Sequence, residues 1–155
     1  MPPNVRLLMS EDHLSARLGV QEGSRIWLLE PPVGFARRLD PLPKDAGVIT
    51  VTPKMVQDVI VIFAMSRAAL GELFTRAAHH LAPRGGLWIA WPRKSSGVFT
   101  DLTEDQVRAV GLAGGLVDNK IISLDETWAA LRFIFKERSR LFIPTGVELG
   151  APPEA

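Results

Sequence analysis

Between Val59 and Trp91 the chain reads as one uninterrupted strand, helix, strand unit, and few architectures accommodate it. Val59-Ile60-Val61-Ile62-Phe63 is apolar at every position, the pattern of a strand covered on both faces. Ser66 then offers an N-cap, and Leu70, Leu73, Phe74, Ala77 and Leu81 recur at the spacing of one helical face before Pro83-Arg84-Gly85-Gly86. Leu87-Trp88-Ile89-Ala90-Trp91 follows at once as a second buried strand. Two strands joined through such a helix pair in parallel with a right-handed crossover, which places the chain among the α/β folds.

The flanks extend this sheet. Ser10, Leu14 and Leu18 predict a capped helix of about two turns ending near Gly19. Arg25-Ile26-Trp27-Leu28-Leu29 predicts another doubly covered strand, stopped by Pro31 and Pro32, which fix φ and remove two ladder donors. Phe35 to Leu39 leaves room for one helical turn, and the β-branched run Val48–Thr52 predicts a short strand ending at Pro53. Thr103-Glu104-Asp105-Gln106 is a capping box from which Val107, Val110 and Leu112 continue a helix to Gly114-Gly115. Strands are expected at Lys120–Leu124 and Leu131–Lys136, and the link between them is too short for a parallel crossover, so they pair antiparallel.

The expected fold is therefore a Rossmann-like three-layer sandwich. Its sheet is mostly parallel, with 25–29, 59–63, 87–91 and 120–124 running one way, and it ends in an antiparallel strand. Residues 1–140 read as a single domain and 141–155 as a tail without periodicity. Leu141-Phe142-Ile143 and Val147-Glu148-Leu149 give that tail apolar residues expected to dock on the domain or on a second copy, which would make a homo-oligomer.

Composition narrows the function classes. Eighteen basic against seventeen acidic residues leave a net charge of +1, unlike a dedicated nucleic-acid binder, though compatible with a local anion site. Without a single Cys there are no thiolate metal sites and no thiol nucleophiles, and a reducing cytoplasm is the expected location. No apolar run approaches the ~20 residues that span a bilayer, so neither a signal peptide nor a membrane anchor is expected.

Ligands of open α/β sheets gather where the parallel strands end, and two loops meet that description. One is the turn Glu30 to Phe35, with Gly34 as its flexible point. The other is Trp91 followed by Arg93-Lys94-Ser95-Ser96-Gly97, which supplies a guanidinium, an ammonium, two hydroxyls and a glycine suited to a phosphate or carboxylate. Glu30, Gly34, Trp91, Arg93, Lys94, Ser95, Ser96 and Gly97 are the expected ligand-binding residues, with Trp91 as an apolar wall. Asp118-Asn119-Lys120 and Asp125-Glu126 fall at opposite ends of one strand and form no carboxylate dyad. His79 and His80 are adjacent rather than three or four apart, and Ser66, Ser95 and Ser96 sit in no nucleophile elbow. No catalytic residue, metal ligand or resident cofactor is assigned.

The order of elements resembles the Rossmann-like fold of S-adenosylmethionine-dependent methyltransferases over roughly Gly23 to Glu137. His80-Leu81-Ala82-Pro83-Arg84-Gly85-Gly86-Leu87-Trp88 is similar to a helix-to-strand turn of that superfamily, and Thr127-Trp128-Ala129-Ala130-Leu131-Arg132-Phe133 to its closing antiparallel strand. More narrowly, Trp91-Pro92-Arg93-Lys94-Ser95-Ser96-Gly97, Asp101-Leu102-Thr103-Glu104, Gly115-Leu116-Val117-Asp118-Asn119-Lys120 and Asp125-Glu126-Thr127-Trp128 resemble a family of small bacterial proteins known only as a domain of unknown function.

The resemblance implies an acidic residue and a Gly-rich turn after the first strand, and an acidic ribose ligand after the second. Here the first turn is Glu30-Pro31-Pro32-Val33-Gly34, and Val48 to Thr52 runs into Pro53 and Lys54. The function expected is a non-catalytic or divergent Rossmann-like module that binds a small anionic ligand or a protein partner. The alternative is an S-adenosylmethionine-dependent methyltransferase with a remodelled cofactor turn.

Overall fold

The computed structural model describes residues 13–137. Ser10 as a helix cap and the docking of the tail after Arg140 lie outside the described residues. In chain order the elements are α1 (Leu14–Arg17), β1 (Arg25–Leu29), a 3-10 turn (Ala36–Leu39), β2 (Gly47–Ile49), β3 (Gln57–Phe63), α2 (Arg67–Ala78), β4 (Leu81–Pro92), a second 3-10 turn (Lys94–Ser96), α3 (Glu104–Ala113), β5 (Leu116–Ser123) and β6 (Trp128–Phe135). They form one six-stranded sheet in the order β2-β1-β3-β4-β6-β5. β2, β1, β3 and β4 are parallel, and β6 runs antiparallel between β4 and β5, so β5 points with the parallel set. The α/β, mostly parallel Rossmann-like architecture and every strand direction expected from the sequence are those found.

Alternation along the strands divides the core into two layers. Trp27, Leu29, Ile60, Ile62, Leu87, Ile89, Leu131 and Phe133 face α2 and α3, meeting Leu70, Leu73, Phe74, Ala77 and Val107. Ile26, Leu28, Val59, Val61, Phe63, Trp88 and Ala90 face the other way, where among the described residues α1, the first 3-10 turn and the loop after it cover them through Leu14, Leu18, Phe35, Leu39 and Leu42. The indole of Trp88 would be a buried orphan there, and Nε1 donates to the Leu18 carbonyl at 3.0 Å. Both expected caps form: Ser66 Oγ accepts from Ala69 N, and Thr103 and Gln106 close a reciprocal box.

Several boundaries differ from expectation. β2 lasts three residues because β1, its neighbour among the described residues, pairs with it over Arg25–Trp27, and Thr50 to Thr52 continue as exposed loop. Leu81 opens β4 instead of ending α2. The register of β4 jumps from Gln57↔Leu81 to Val59↔Gly86, a bulge that takes up Pro83, which has no ladder donor. On α3 the buried positions are Val107 and Gly111, one turn apart, while Leu112 is turned out and half exposed. A Cβ at residue 111 would land on the ring of Phe133, so glycine is what lets α3 lie this close to β6. β5 and β6 begin earlier than expected, which puts Asp118-Asn119-Lys120 inside a strand rather than at its entrance.

Candidate ligand site at the carboxyl edge

The loops that follow β1, β3 and β4 leave the sheet at one edge, and the β5–β6 turn joins them there because β5 runs with the parallel set. After β1 the backbone first takes a left-handed residue, Glu30 at φ 57°. The proline that follows disfavours the right-handed helical region, and the chain has to turn sharply. Pro31 leads into a four-residue turn in which Phe35 N donates to Pro32 O at 3.0 Å and Gly34 has φ 84°. A positive φ at the third position makes it a type II turn, and Gly34 is there to satisfy it. Its tip is Val33, fully exposed.

Just beneath, Phe35 is buried and meets Phe63 edge-on, centroids 4.8 Å apart, and Phe63 meets Trp128 in the same way at 5.2 Å. Three rings from three elements thus floor this edge, and Arg38 lies over Phe35 at 5.1 Å from the ring centre.

The loop after β4 is shaped by its own side chains. Ser96 Oγ donates to Arg93 O at 2.6 Å and accepts from Val98 N; Thr100 Oγ1 donates to Met65 O at 2.8 Å and accepts from Leu102 N; Asp101 Oδ1 accepts from Arg67 N at the start of α2. Gly97 supplies a left-handed residue at φ 79°. The loop encloses an open cavity of about 360 Å³ lined by Lys94, Gly97, Thr100, Asp101 and Thr103, with Phe99 beside them almost wholly exposed.

The eight expected site residues are dispersed. Lys94 and Gly97 share the loop cavity, whose lining does not include Glu30 or Gly34. Trp91 faces the α2/α3 layer and is 6% exposed, so its ring is core. Arg93 turns toward the β5–β6 turn: its N donates to Thr127 O at 2.7 Å and its Nη1 to Ser123 Oγ and Asp125 O. Ser96 shapes the loop, and Ser95 is exposed.

From the sequence Asp125-Glu126 is expected to be structural, or else to accept from Lys or Arg at an oligomer interface; the structural role is found, and the arginine belongs to the same chain. Asp125 Oδ1 accepts from Thr127 N and Trp128 N, both at 2.8 Å, and Oδ2 takes Arg38 Nη1 at 2.8 Å. Arg38 Nη2 also reaches Leu124 O, and Arg17 Nη2 reaches Ser123 O. Three arginines from three elements therefore strap one turn. Partial burial works to raise the Asp125 carboxyl, but the two backbone donors and the Arg38 guanidinium outweigh it and hold it below the usual carboxylate range. The local signal was an Asp followed two and three residues later by the donors of an Asx turn; the arginines, far away in sequence, gave none.

No protein-family model matches the sequence, and no curated protein matches it. Solved structures do. N-methyltransferase NodS from Bradyrhizobium japonicum WM9 is similar over 84% of this chain and 94% of its own, at 17% identity and a TM-score of 0.54. The ribosomal protein L11 methylase from Lactobacillus delbrueckii subsp. bulgaricus is similar over 85% and 78%, at 12% identity and 0.56. Magnesium protoporphyrin IX methyltransferase from Synechocystis PCC 6803, solved with bound S-adenosylmethionine, is similar over 85% and 81%, at 8% identity and 0.55. At such identities the likeness is one of fold, and the fold is that of S-adenosylmethionine-dependent methyltransferases.

The residues at the β1 turn do not fit that cofactor. A carboxylate-binding turn needs several backbone N–H groups converging on one point. Here Pro31 and Pro32 have none and Phe35 N is spent on Pro32 O, while an apolar Val33 occupies the tip. After β2 the chain offers Thr50, Val51, Thr52 and Pro53, with no acidic side chain for a ribose.

Proposed function

We propose that this chain is a divergent methyltransferase-fold module that acts by binding, with the carboxyl edge of its sheet as the binding face and without S-adenosylmethionine at the β1 turn. The observation that carries this reading is the tight Pro32–Phe35 turn closed over Phe35, where the fold's cofactor would need an open set of donors. What the edge offers is apolar. Val51, Val33, Met65 and Phe99 follow the ends of the neighbouring strands β2, β1, β3 and β4, and each is at least half exposed. Arg93 is engaged with Ser123 and Asp125, which leaves Lys94 as the exposed cation of its loop. A protein partner with an apolar face suits this edge better than a small anion does. Among the described residues no helix is long and apolar enough to cross a membrane.

The fold likeness is to enzymes, and that favours a second reading, an S-adenosylmethionine-dependent methyltransferase whose turn has been remodelled. Calorimetric titration with S-adenosylmethionine and S-adenosylhomocysteine separates the two. Absence of heat up to millimolar ligand is the expected result; micromolar binding of either compound sinks the first reading and favours the second.

A further inference from the structure

At the opposite, amino edge of the sheet, the turn Gln21–Ser24, Asp58 of β3, Arg84 of β4 and Arg132 of β6 line a polar cleft of about 330 Å³. Its walls are fixed. Gln21 N donates to Ser24 Oγ at 2.9 Å, Ser24 N to Gln21 O at 3.1 Å and Gly23 N to Lys44 O at 2.9 Å, so the turn is held from both sides. Asp58 Oδ2 is held by Arg25 N at 2.8 Å. Arg132 interrupts an otherwise apolar strand, with Ala130 and Ile134 buried on either side of it on the same face. Its Nη1 donates to Asn119 Oδ1 at 3.4 Å, and its guanidinium lies against Gly86, where a Cβ would stand 2.7 Å from Cζ; glycine at 86 leaves room for it.

We infer that this cleft binds a free α-amino acid, its carboxylate on Arg84 and Arg132 and its ammonium between Glu22 and Asp58. A bare anion would meet as many carboxylates as guanidiniums and gain little, and a bare cation is in the same position. A zwitterion satisfies both signs at once, and the volume leaves room for a side chain. Each guanidinium carries five N–H donors in a planar fork, enough to keep a protein contact and still take a carboxylate oxygen. The cleft lies across the sheet from the β1 turn, so its test stands apart from that of the proposed function.

The test uses the full chain and the twenty common L-amino acids, each added singly at 10 mM in a thermal-shift measurement, then calorimetry with the strongest responder. Glu22 and Arg84 are exposed, and the Glu22→Gln and Arg84→Gln variants are each compared with their own unliganded melting temperature, so that a change in stability is read separately from a loss of binding. The expected result is a submillimolar dissociation constant for at least one amino acid, weakened at least tenfold by either substitution. The same loss is expected when that amino acid is offered as its α-amide or its N-acetyl derivative. If no amino acid raises the melting temperature, if binding is indifferent to both substitutions, or if a blocked derivative binds as well as the zwitterion, the inference is wrong.

Discussion

Arg38 Nη1 stands 2.8 Å from Asp125 Oδ2, tying the one-turn helix after β1 to the β5–β6 turn across 87 residues of chain. The pair is partly exposed, and an ion pair in that setting contributes little alone. Its weight comes from company, since the same carboxylate caps Thr127 N and Trp128 N and the same guanidinium covers Phe35.

Asp125→Ala strips three partners of their acceptor and should lower stability by about 2–3 kcal/mol, whereas Asp125→Asn keeps a carbonyl for the backbone donors and should cost about 1 kcal/mol. Urea midpoints of both variants check this. An alanine variant as stable as wild type would show that the turn holds without the strap.

The acid limb of stability carries the same signature. A carboxyl whose folded pKa lies below the ordinary 3.8 stabilises the fold at every pH above that value, and the gain disappears as pH falls through the folded pKa. The stability gap between wild type and Asp125→Asn should therefore stay level from pH 7 to 5 and close below about 3.8. Urea titrations at half-unit steps would show it; a gap that widens toward low pH contradicts the assignment.

Neighbouring cations should behave differently. Arg93→Ala removes donors to Ser123 and Asp125 O and should cost about 1–2 kcal/mol. Lys94→Ala, on an exposed side chain, should stay within about 0.5 kcal/mol. Equal melting temperatures for the two would mean that Arg93 is not structural and would return it to the list of anion ligands.

Two glycines in helices make an internal control. Gly111→Ala drives a methyl into Phe133, fully buried and unable to retreat, and should cost about 2–3 kcal/mol. Gly71→Ala points into open space in the middle of α2 and should stabilise by about 0.4–1 kcal/mol, chiefly by restricting the unfolded chain. Thermal unfolding of the pair decides it, and a destabilised Gly71→Ala would contradict the packing described for α2.

What could be read from the sequence was whatever is local. The caps at Ser66 and Thr103 are encoded within four residues, and the doubly apolar strands 59–63 and 87–91 declare both their burial and their parallel pairing. The site was less legible because it is made by distant chain segments. Arg93 looked like an anion ligand beside Lys94, and only the return of Ser123 and Asp125 to its side shows where its guanidinium goes. Trp91 looked like a site wall since it ends a strand, but alternation sends it to the α2/α3 layer. Arg84 and Arg132 share a cleft although 47 residues separate them, and no spacing rule reports that.

The bulge between Asp118 and Lys120 interrupts the ladder of β5, the strand at one margin of the sheet. A newcomer strand sliding in beside β5 would find donors and acceptors out of step halfway along, with the exposed Asn119 and Lys120 side chains at the break. The opposite margin, β2, presents three residues, too few to template anything. Among the described residues the sheet is thereby finished at both sides, and crowding many copies together should not lengthen it into a fibre through these strands.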